Sequence, residues 1–257
     1  MPQLQALIFD VDGTIAETEQ SGHRVAFNWA FAQAGLDWHW SSELYGQLLS
    51  VSGGKERIRF YLNQYCPDSE ALKSAVDLTD FVANLHAVKT AYFKQLLQDG
   101  QIPPRPGIVR LIQEARAMGI RLAIATTSAP DNAIALLKTI LAPDSPDWFE
   151  VIAAGDIVPQ KKPAPDIYHY VVQSMDLNPD NCVVIEDSQH GVEAATRAGL
   201  KTIVTINRYT HDQQFSNALL VLDHLGEPNL PFRAIEGDVG NATYFDVSLA
   251  EALVKEN

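Results

Sequence analysis

The sequence predicts an α/β protein with an open, largely parallel sheet, interrupted after its first strand by an all-helical insert. Three observations support this fold class. The continuous apolar run Ala6–Phe9 is typical of a strand that is buried on both faces of a parallel sheet. Residues 17–97 show helical periodicity and no strand pattern. From Pro103 onward, strand and helix patterns alternate, which indicates a parallel sheet.

The insert is predicted to be a helical cap domain of residues 17–97. The core domain then consists of residues 1–16 and 98–257, and its last part, residues 227–257, is an extension without an assigned role. Within the insert, apolar spacing predicts a first helix that Gly35 ends. Three further helices are predicted over residues 42–49, 58–65 and 78–96.

The alternating region is predicted element by element. Pro163 is expected to open one of its helices, because proline is pre-organised for the first helical position. In the tail, residues 244–247 are expected to add a strand and residues 249–254 a short helix. The predicted strands cover 121–126, 151–154, 183–185, 201–206 and 219–222, and the predicted helices cover 107–118, 131–141, 163–175 and 191–198.

Composition restricts the classes of partner. The chain has 32 acidic residues against 19 lysines and arginines, which gives a net charge of -13 and argues against nucleic-acid or anionic-membrane partners. A few local cations can still bind a phosphorylated small molecule. With two cysteines and no visible signal peptide or membrane-spanning run, no disulfide framework is expected, and the expected location is the cytoplasm.

The first strand ends in two acidic residues, Asp10 and Asp12, followed by Gly13. Alternate side chains of an extended chain point the same way, so both carboxylates can face one ligand at the carboxyl end of the strand. Carboxylates this close are tolerated around a hard cation such as Mg²⁺, and a carboxylate can also act as a nucleophile. Taken alone, the pattern is more typical of a simple turn, and the apolar strand before it and the motifs further along the chain favour a site.

Three further polar groups follow apolar runs and are predicted to meet at the same edge of the sheet. They are Thr126-Thr127-Ser128, then Lys161-Lys162 before Pro163, and Glu186-Asp187. Each has an ordinary alternative: a helix cap for the first and last, a solvated loop lysine for the second. Together they supply the nucleophile, hydroxyl, cation and metal-competent oxygens that phosphoryl transfer requires.

With these motifs the sequence resembles the haloacid dehalogenase-like superfamily of phosphohydrolases, over roughly residues 4–226. The matching motifs are Asp10-Val11-Asp12-Gly13-Thr14, Thr126, Lys162-Pro163-Ala164-Pro165-Asp166 and Ile185-Glu186-Asp187-Ser188. The resemblance implies a Rossmann-like core with a helical cap, of the subclass that includes β-phosphoglucomutase, that opens and closes. It also implies a monomer.

The resemblance further implies roles for the site residues. Asp10 is expected to become an aspartyl-phosphate, and Asp12 to act as general acid and then general base. The aspartate at position 12 favours phosphate chemistry over halide displacement. The implied Mg²⁺ ligands are Asp10, Asp12 through its backbone carbonyl, Glu186 and Asp187, and the implied phosphate-binding residues are Thr126, Thr127 and Lys162.

More closely still, the sequence resembles CbbY-type phosphatases, through stretches that include Gly53-Gly54-Lys55-Glu56-Arg57-Ile58 and Arg105-Pro106-Gly107. That group is associated with removing the 1-phosphate of xylulose 1,5-bisphosphate, an inhibitor of Rubisco, and the resemblance implies the same substrate. The residues expected to contact substrate are Glu17, His23, Gly54, Lys55 and Arg57, although His23 and the two cations have ordinary structural roles as alternatives.

Three other functions stay open at this point. A β-phosphoglucomutase-like isomerase would share every core motif, and a broad-specificity sugar monophosphate phosphatase would differ only in its substrate contacts. A non-enzymatic binding protein is disfavoured, because a degenerate site is expected to have lost at least one of the residues that carry the chemistry.

Overall fold

The computed structural model describes residues 3–51, 53–67 and 78–255. The chain divides into two compact units, a core unit of Met1–Glu17 with Pro103–Asn257 and a helical unit of Thr18–Ile102. These boundaries lie one and five residues beyond the expected ones at 16 and 97. The reason is local: Glu17 donates its backbone N–H to the carbonyl of Pro103 at 3.2 Å, which joins both residues to the core unit.

The core unit contains a seven-stranded sheet. Its strand order is β3-β2-β1-β4-β5-β6-β7, and every pair is parallel except β6 with β7. The strands are β1 Ala6–Phe9, β2 Arg121–Thr126, β3 Val151–Ala154, β4 Cys182–Glu186, β5 Lys201–Thr205, β6 Leu220–Leu222 and β7 Ala234–Glu236. The predicted α/β fold with a parallel sheet is confirmed.

The central strands are apolar because helices cover both of their faces. All four residues of β1 are buried, and so are all five of β4. One face of the sheet packs against side chains such as Ile167, Val171 and Ala195. The helices of the core unit are α5 Ile108–Ala117, α6 Pro130–Ile140, α7 Asp166–Ser174, α8 Gln189–Arg197 and α9 Val247–Lys255.

The described part of the helical unit contains no strand, as the sequence predicts. Its helices are α1 Arg24–Gln33, α2 Ser42–Leu48, α3 Gly54–Tyr65 and α4 Leu78–Gln98, with a π-helical turn at Glu19–His23. An aromatic cluster packs these helices together. Phe27, Phe31, Trp40 and Tyr45 are each 1% or less exposed, and the rings of Phe27 and Trp40 lie 4.6 Å apart.

Two expectations about secondary structure were wrong. Pro163 does not open a helix: the backbone first makes a turn in which Ala164 donates to the Lys161 carbonyl at 3.0 Å, and α7 begins at Asp166. This turn directs Lys162 into the core, as described below. The strand expected at 244–247 is also absent from the described residues, and the antiparallel edge strand is Ala234–Glu236 instead.

The C-terminal extension packs on the core unit through α5. The Arg110 guanidinium binds the carboxylate of Glu227 at 3.1 Å and the carbonyls of Gly226 and Phe245 at 3.0 and 2.8 Å. The ring of Tyr244 lies under the same guanidinium, 4.7 Å from it. A single half-buried arginine side chain therefore contacts several positions at the start of the extension and near its last helix.

Among the described residues, no helix combines the length and the apolar character needed to span a bilayer.

Candidate active site

The polar ends of three adjacent strands meet at one edge of the sheet. Strand β1 lies between β2 and β4, and Asp10 continues the β1–β4 ladder by donating its N–H to the Ile185 carbonyl at 3.0 Å. Asp10, Thr126 and Glu186 thus stand at neighbouring strand ends. The predicted convergence of these groups follows from parallel strands that end at the same edge.

Lys162 is the buried cation of this cluster, with its side chain 6% exposed. Its Nζ donates to Asp10 Oδ1 at 2.7 Å, to Glu186 Oε1 at 2.6 Å and to the Ala125 carbonyl at 2.8 Å. All three ammonium protons have acceptors. The neighbouring Lys161 instead pairs with Asp156, which is 90% exposed. Lys162 is therefore the lysine positioned beside the candidate nucleophile.

Glu186 is fully buried, and both of its oxygens accept hydrogen bonds. Oε1 accepts from Lys162 and from the Tyr168 hydroxyl at 2.6 Å, and Oε2 accepts from the backbone N–H of Asp187 and the hydroxyl of Ser188. Gly191 makes room for this carboxylate, because a Cβ there would lie 2.0 Å from it. Glu186 is thus held rigidly between β4 and the start of α8.

Asp187 is oriented by Asn207, whose Nδ2 donates to Asp187 Oδ2 at 2.6 Å. Asn207 follows β5, and two backbone contacts fix it: its N–H donates to Thr210 Oγ1 at 3.0 Å, and its Oδ1 accepts from the N–H of Tyr209. Gly13 adopts φ +81°, and a Cβ there would lie 2.3 Å from Asp187 Oδ2. The glycine therefore allows the loop after Asp12 to approach Asp187.

Asp12 and the loop after β2 are joined by a short hydrogen bond from the Ser128 hydroxyl to Asp12 Oδ2. Thr126 is 1% exposed, and its Oγ1 accepts the N–H of Ser128 at 3.1 Å, which shapes this loop. Thr127, between them, is half-buried. The second aspartate thus has a fixed orientation beside the hydroxyl-bearing loop.

Burial and mutual repulsion raise the pKa of the carboxyl groups. Burial raises the pKa of Asp10 to about 8, with Lys162 opposing and Glu186 and Asp12 adding to the rise. Burial, followed by repulsion from Asp10 and Glu186, raises the pKa of Asp187 well above its usual value. Burial lowers the pKa of Lys162, but attraction to Asp10 and Glu186 outweighs it, so the net pKa is raised and the lysine is charged.

The acidic cluster fits a hard divalent cation. Carboxylate oxygens of Asp10, Glu186 and Asp187 lie within 4.8 Å of one another. Mg²⁺ prefers oxygen ligands of this kind, and Lys162 contacts two of these three carboxylates, Asp10 and Glu186. Burial and mutual repulsion raise the pKa values of Asp10 and Asp187, and a cation between these groups would favour their ionised forms.

Glu17 lies in the core unit, next to the strand-end cluster in sequence. Its carboxylate forms a short ion pair with Arg105, and its side chain is 32% exposed. The same guanidinium donates to the carbonyls of Ile206 at 2.6 Å and Asp223 at 2.8 Å.

The other expected substrate residues lie in the helical unit. Lys55 is exposed in the first turn of α3, and Gly54 packs so closely on His86 that a Cβ would lie 2.5 Å from its ring nitrogen. His23 is buried, with Nδ1 2.8 Å from Lys89 Nζ. Arg57 is buried too, and its guanidinium donates to the carbonyls of Leu48 and Val51 and to the Tyr45 hydroxyl.

Two residues of the core cluster, Tyr168 and Asn207, and one contact, between Ser128 and Asp12, were missed from sequence. Tyr168 looked like an ordinary apolar position of its helix, and the contact between Ser128 and Asp12 joins residues far apart in the chain. Asn207 carried a usable signal: it is the polar residue that ends the strand run 201–206, just as Asp10 and Thr126 end theirs.

The fold and the strand-end cluster define a hydrolase class. Residues 4–199 match the family model of the haloacid dehalogenase-like hydrolases, and the chain belongs to that family. The predicted family is thus confirmed, and so is the prediction of an enzyme that hydrolyses phosphoric monoesters.

Several relatives that are similar over most of this chain are CbbY or CBBY-like proteins. The chain is 46% identical to the plasmid-encoded protein CbbY of Cupriavidus necator, over 89% of this chain and 88% of that protein. It is 39% identical to a CBBY-like protein of Arabidopsis thaliana, over 87% of this chain and 70% of that one. A crystal structure of a CbbY mutant from Rhodobacter sphaeroides in complex with xylulose-(1,5)bisphosphate superposes with a TM-score of 0.77 at 43% identity, covering 86% of this chain and 95% of that one.

Proposed function

We propose that this chain is a Mg²⁺-dependent phosphatase that removes the 1-phosphate of xylulose 1,5-bisphosphate through an aspartyl-phosphate on Asp10. The observation that carries the proposal is the contact between Lys162 and Asp10 at a strand-end cluster of carboxylates. The 43% identical CbbY mutant that was crystallised with xylulose-(1,5)bisphosphate supports the choice of substrate.

In the proposed reaction, Asp10 attacks phosphorus and the bond to the sugar oxygen breaks. Asp12 donates a proton to the leaving alcohol, then takes a proton from the water that attacks the aspartyl-phosphate, which restores both residues. The Ser128 hydroxyl holds Asp12 in one orientation for these two transfers. Lys162 neutralises charge beside Asp10, and Thr126 and Thr127 are the proposed donors to the phosphate oxygens.

Asp10, Asp187 and the Asp12 carbonyl are the proposed ligands of Mg²⁺, which would supply the positive charge that keeps Asp10 ionised and reduces its repulsion of the phosphate. Asn207 orients Asp187 for that role. Glu186 belongs to the same acidic cluster, but its two oxygens already accept four hydrogen bonds, so we propose that it acts mainly by holding Lys162 and the backbone of Asp187.

A bisphosphate requires a second cationic group for its other phosphate. We propose Lys55 for this role, because it is exposed and follows the two glycines that begin α3. Arg57, His23 and Gly54 are the other residues expected from sequence. The contacts of Arg57 with the Leu48 and Val51 carbonyls support a role in shaping the turn before α3. We therefore prefer Lys55 over Arg57 as the residue that binds the second phosphate.

Product analysis tests the proposed reaction. The purified chain is incubated with Mg²⁺ and xylulose 1,5-bisphosphate, and products are followed by a phosphate assay and by ³¹P NMR. We expect equal amounts of inorganic phosphate and xylulose 5-phosphate, and no turnover with excess EDTA. A rearranged sugar phosphate without phosphate release would indicate the isomerase. Equal rates on many sugar monophosphates would indicate a broad phosphatase, and no turnover of any sugar phosphate would contradict the proposal. The cytoplasmic location and the monomeric state stay predictions.

A further inference from the structure

Arg105 is a buried arginine that three separate segments of the core unit share. Its side chain is 6% exposed. Nη1 pairs with the Glu17 carboxylate, and Nη2 donates to the carbonyls of Ile206 and Asp223 at 2.6 and 2.8 Å. Charge-assisted hydrogen bonds in a desolvated place are strong, and the planar guanidinium fixes their directions. Arg105 thus joins the chain before the helical unit to the loops after β5 and β6.

One set of these contacts leads toward Asp187. The Ile206 carbonyl that binds Arg105 belongs to the peptide unit that connects directly to Asn207, and Asn207 donates to Asp187 Oδ2 at 2.6 Å. Holding that peptide unit therefore limits how the Asn207 side chain can move. Through Asn207, the same restraint reaches a proposed magnesium ligand.

The other contact leads to Glu17. The backbones of the two segments are already paired: Arg105 donates its N–H to the Ile15 carbonyl at 2.9 Å, and Glu17 donates to the Pro103 carbonyl at 3.2 Å. The ion pair adds a restraint on the Glu17 side chain itself. The ion pair thus fixes the Glu17 carboxylate, and because the side chain is 32% exposed, the carboxylate remains accessible.

We propose that Arg105 is a positioning residue that sets both the Glu17 carboxylate and the peptide unit between Ile206 and Asn207. A single side chain would then align a group for sugar hydroxyls with the group that orients Asp187. The claim that Arg105 positions Glu17 for sugar hydroxyls rests on the proposed function, in which the substrate is a sugar phosphate. The claim that Arg105 positions Asp187 through Asn207 concerns the affinity for Mg²⁺, which can be measured without any substrate.

Two measurements on Arg105→Gln test the inference. The first is the ratio of kcat/KM for xylulose 1,5-bisphosphate to that for p-nitrophenyl phosphate, which has no sugar hydroxyls. We expect this ratio to fall by about tenfold, as is typical when a hydrogen bond to a charged group is misplaced. The second is the Kd of Mg²⁺ by titration calorimetry without substrate. We expect it to rise by about tenfold, as is typical when an outer contact of a ligand is lost.

Three further variants separate positioning from folding. Glu17→Gln is expected to lower the substrate ratio and leave the Mg²⁺ Kd unchanged. Arg105→Lys keeps the positive charge but not the planar guanidinium with its several directed N–H groups. Its kcat/KM ratio and its Mg²⁺ Kd should therefore lie between those of the wild type and Arg105→Gln. Arg110→Gln is the control, because Arg110 likewise binds carboxylates, those of Glu114 and Glu227, and two backbone carbonyls, but lies away from the strand-end cluster. It is expected to lower stability while both quantities keep their wild-type values.

Wild-type values of both quantities in folded Arg105→Gln would overturn the inference. If that variant does not fold, wild-type values in Arg105→Lys would overturn it in the same way. Failure of the proposed function looks different: the wild-type chain itself would then fail to hydrolyse xylulose 1,5-bisphosphate. In that case the Mg²⁺ Kd of Arg105→Gln still decides whether Arg105 positions Asp187.

Discussion

Replacing Lys162 with methionine is expected to remove the lysine contact of two buried carboxyl groups, Asp10 and Glu186, while keeping the length of the side chain. Lys162 makes three hydrogen bonds, and Glu186, one of its partners, is completely buried. Removing one partner of a buried ion pair typically costs about 3–5 kcal/mol, because the remaining charge is left uncompensated. We expect a loss of this size at pH 7 without Mg²⁺.

The pH dependence of this loss follows from Asp10. Lys162 lowers the pKa of Asp10, which is nevertheless about 8, so Lys162→Met should raise it further. A carboxyl group whose native pKa exceeds its unfolded value reduces stability as the pH rises from the unfolded toward the native pKa. In the wild type, the free energy of unfolding stops decreasing for this reason once the pH exceeds the pKa of Asp10, about 8. In Lys162→Met, where the pKa of Asp10 is higher, the decrease continues above pH 8. The loss at pH 9 should therefore exceed that at pH 7 by about 1 kcal/mol.

Urea unfolding at pH 7 and 9 in EDTA measures these differences, and Lys161→Met is the matched control. Lys161 pairs with an aspartate that is 90% exposed, and such surface pairs contribute about 0–1 kcal/mol. Lys162→Met should also lower kcat by at least about 10²-fold, since a charge aimed at the reacting group is lost. Equal losses of stability in the two variants would refute the reasoning.

Three other predictions concern single residues. Asp10→Asn should abolish phosphate release in a steady-state assay, because an amide cannot form the aspartyl-phosphate; substantial residual turnover would remove Asp10 from the role of nucleophile. Gly191→Ala should lower the free energy of unfolding by about 1–3 kcal/mol, since its Cβ would overlap the Glu186 carboxylate; unchanged stability in urea would show that the carboxylate can move freely. Lys55→Ala should raise KM for xylulose 1,5-bisphosphate more than for xylulose 5-phosphate, and equal effects would mean that Lys55 does not bind the second phosphate.

The parts of the site that were predictable from sequence are those set by the ends of buried strands. The residues of β1, β2 and β3 were predicted without error, because continuous apolar runs stop sharply at polar residues such as Asp10 and Thr126. Parallel pairing then places those ends together. Local sequence and one general rule of sheet topology were sufficient for this.

The supporting contacts depend on packing between distant segments, which no local pattern encodes. Tyr168 lies on the buried face of α7, where an aromatic residue needs no special role, and only the position of Glu186 shows what its hydroxyl binds. In the sequence, Arg105 belongs only to a motif shared with the resembling family, and its three partners lie in three separate segments of the chain. The edge strand was misplaced because pairing with β6, rather than local β-propensity, determines which part of the tail is extended.

The specificity of phosphate release tests the central claim most directly. With saturating Mg²⁺, kcat/KM is measured for xylulose 1,5-bisphosphate, its epimer ribulose 1,5-bisphosphate and β-glucose 1-phosphate. We expect xylulose 1,5-bisphosphate to exceed the epimer by at least about tenfold, which corresponds to one well-placed polar contact to a sugar hydroxyl. Equal values for the two bisphosphates, or faster phosphate release from β-glucose 1-phosphate, would contradict the proposed substrate.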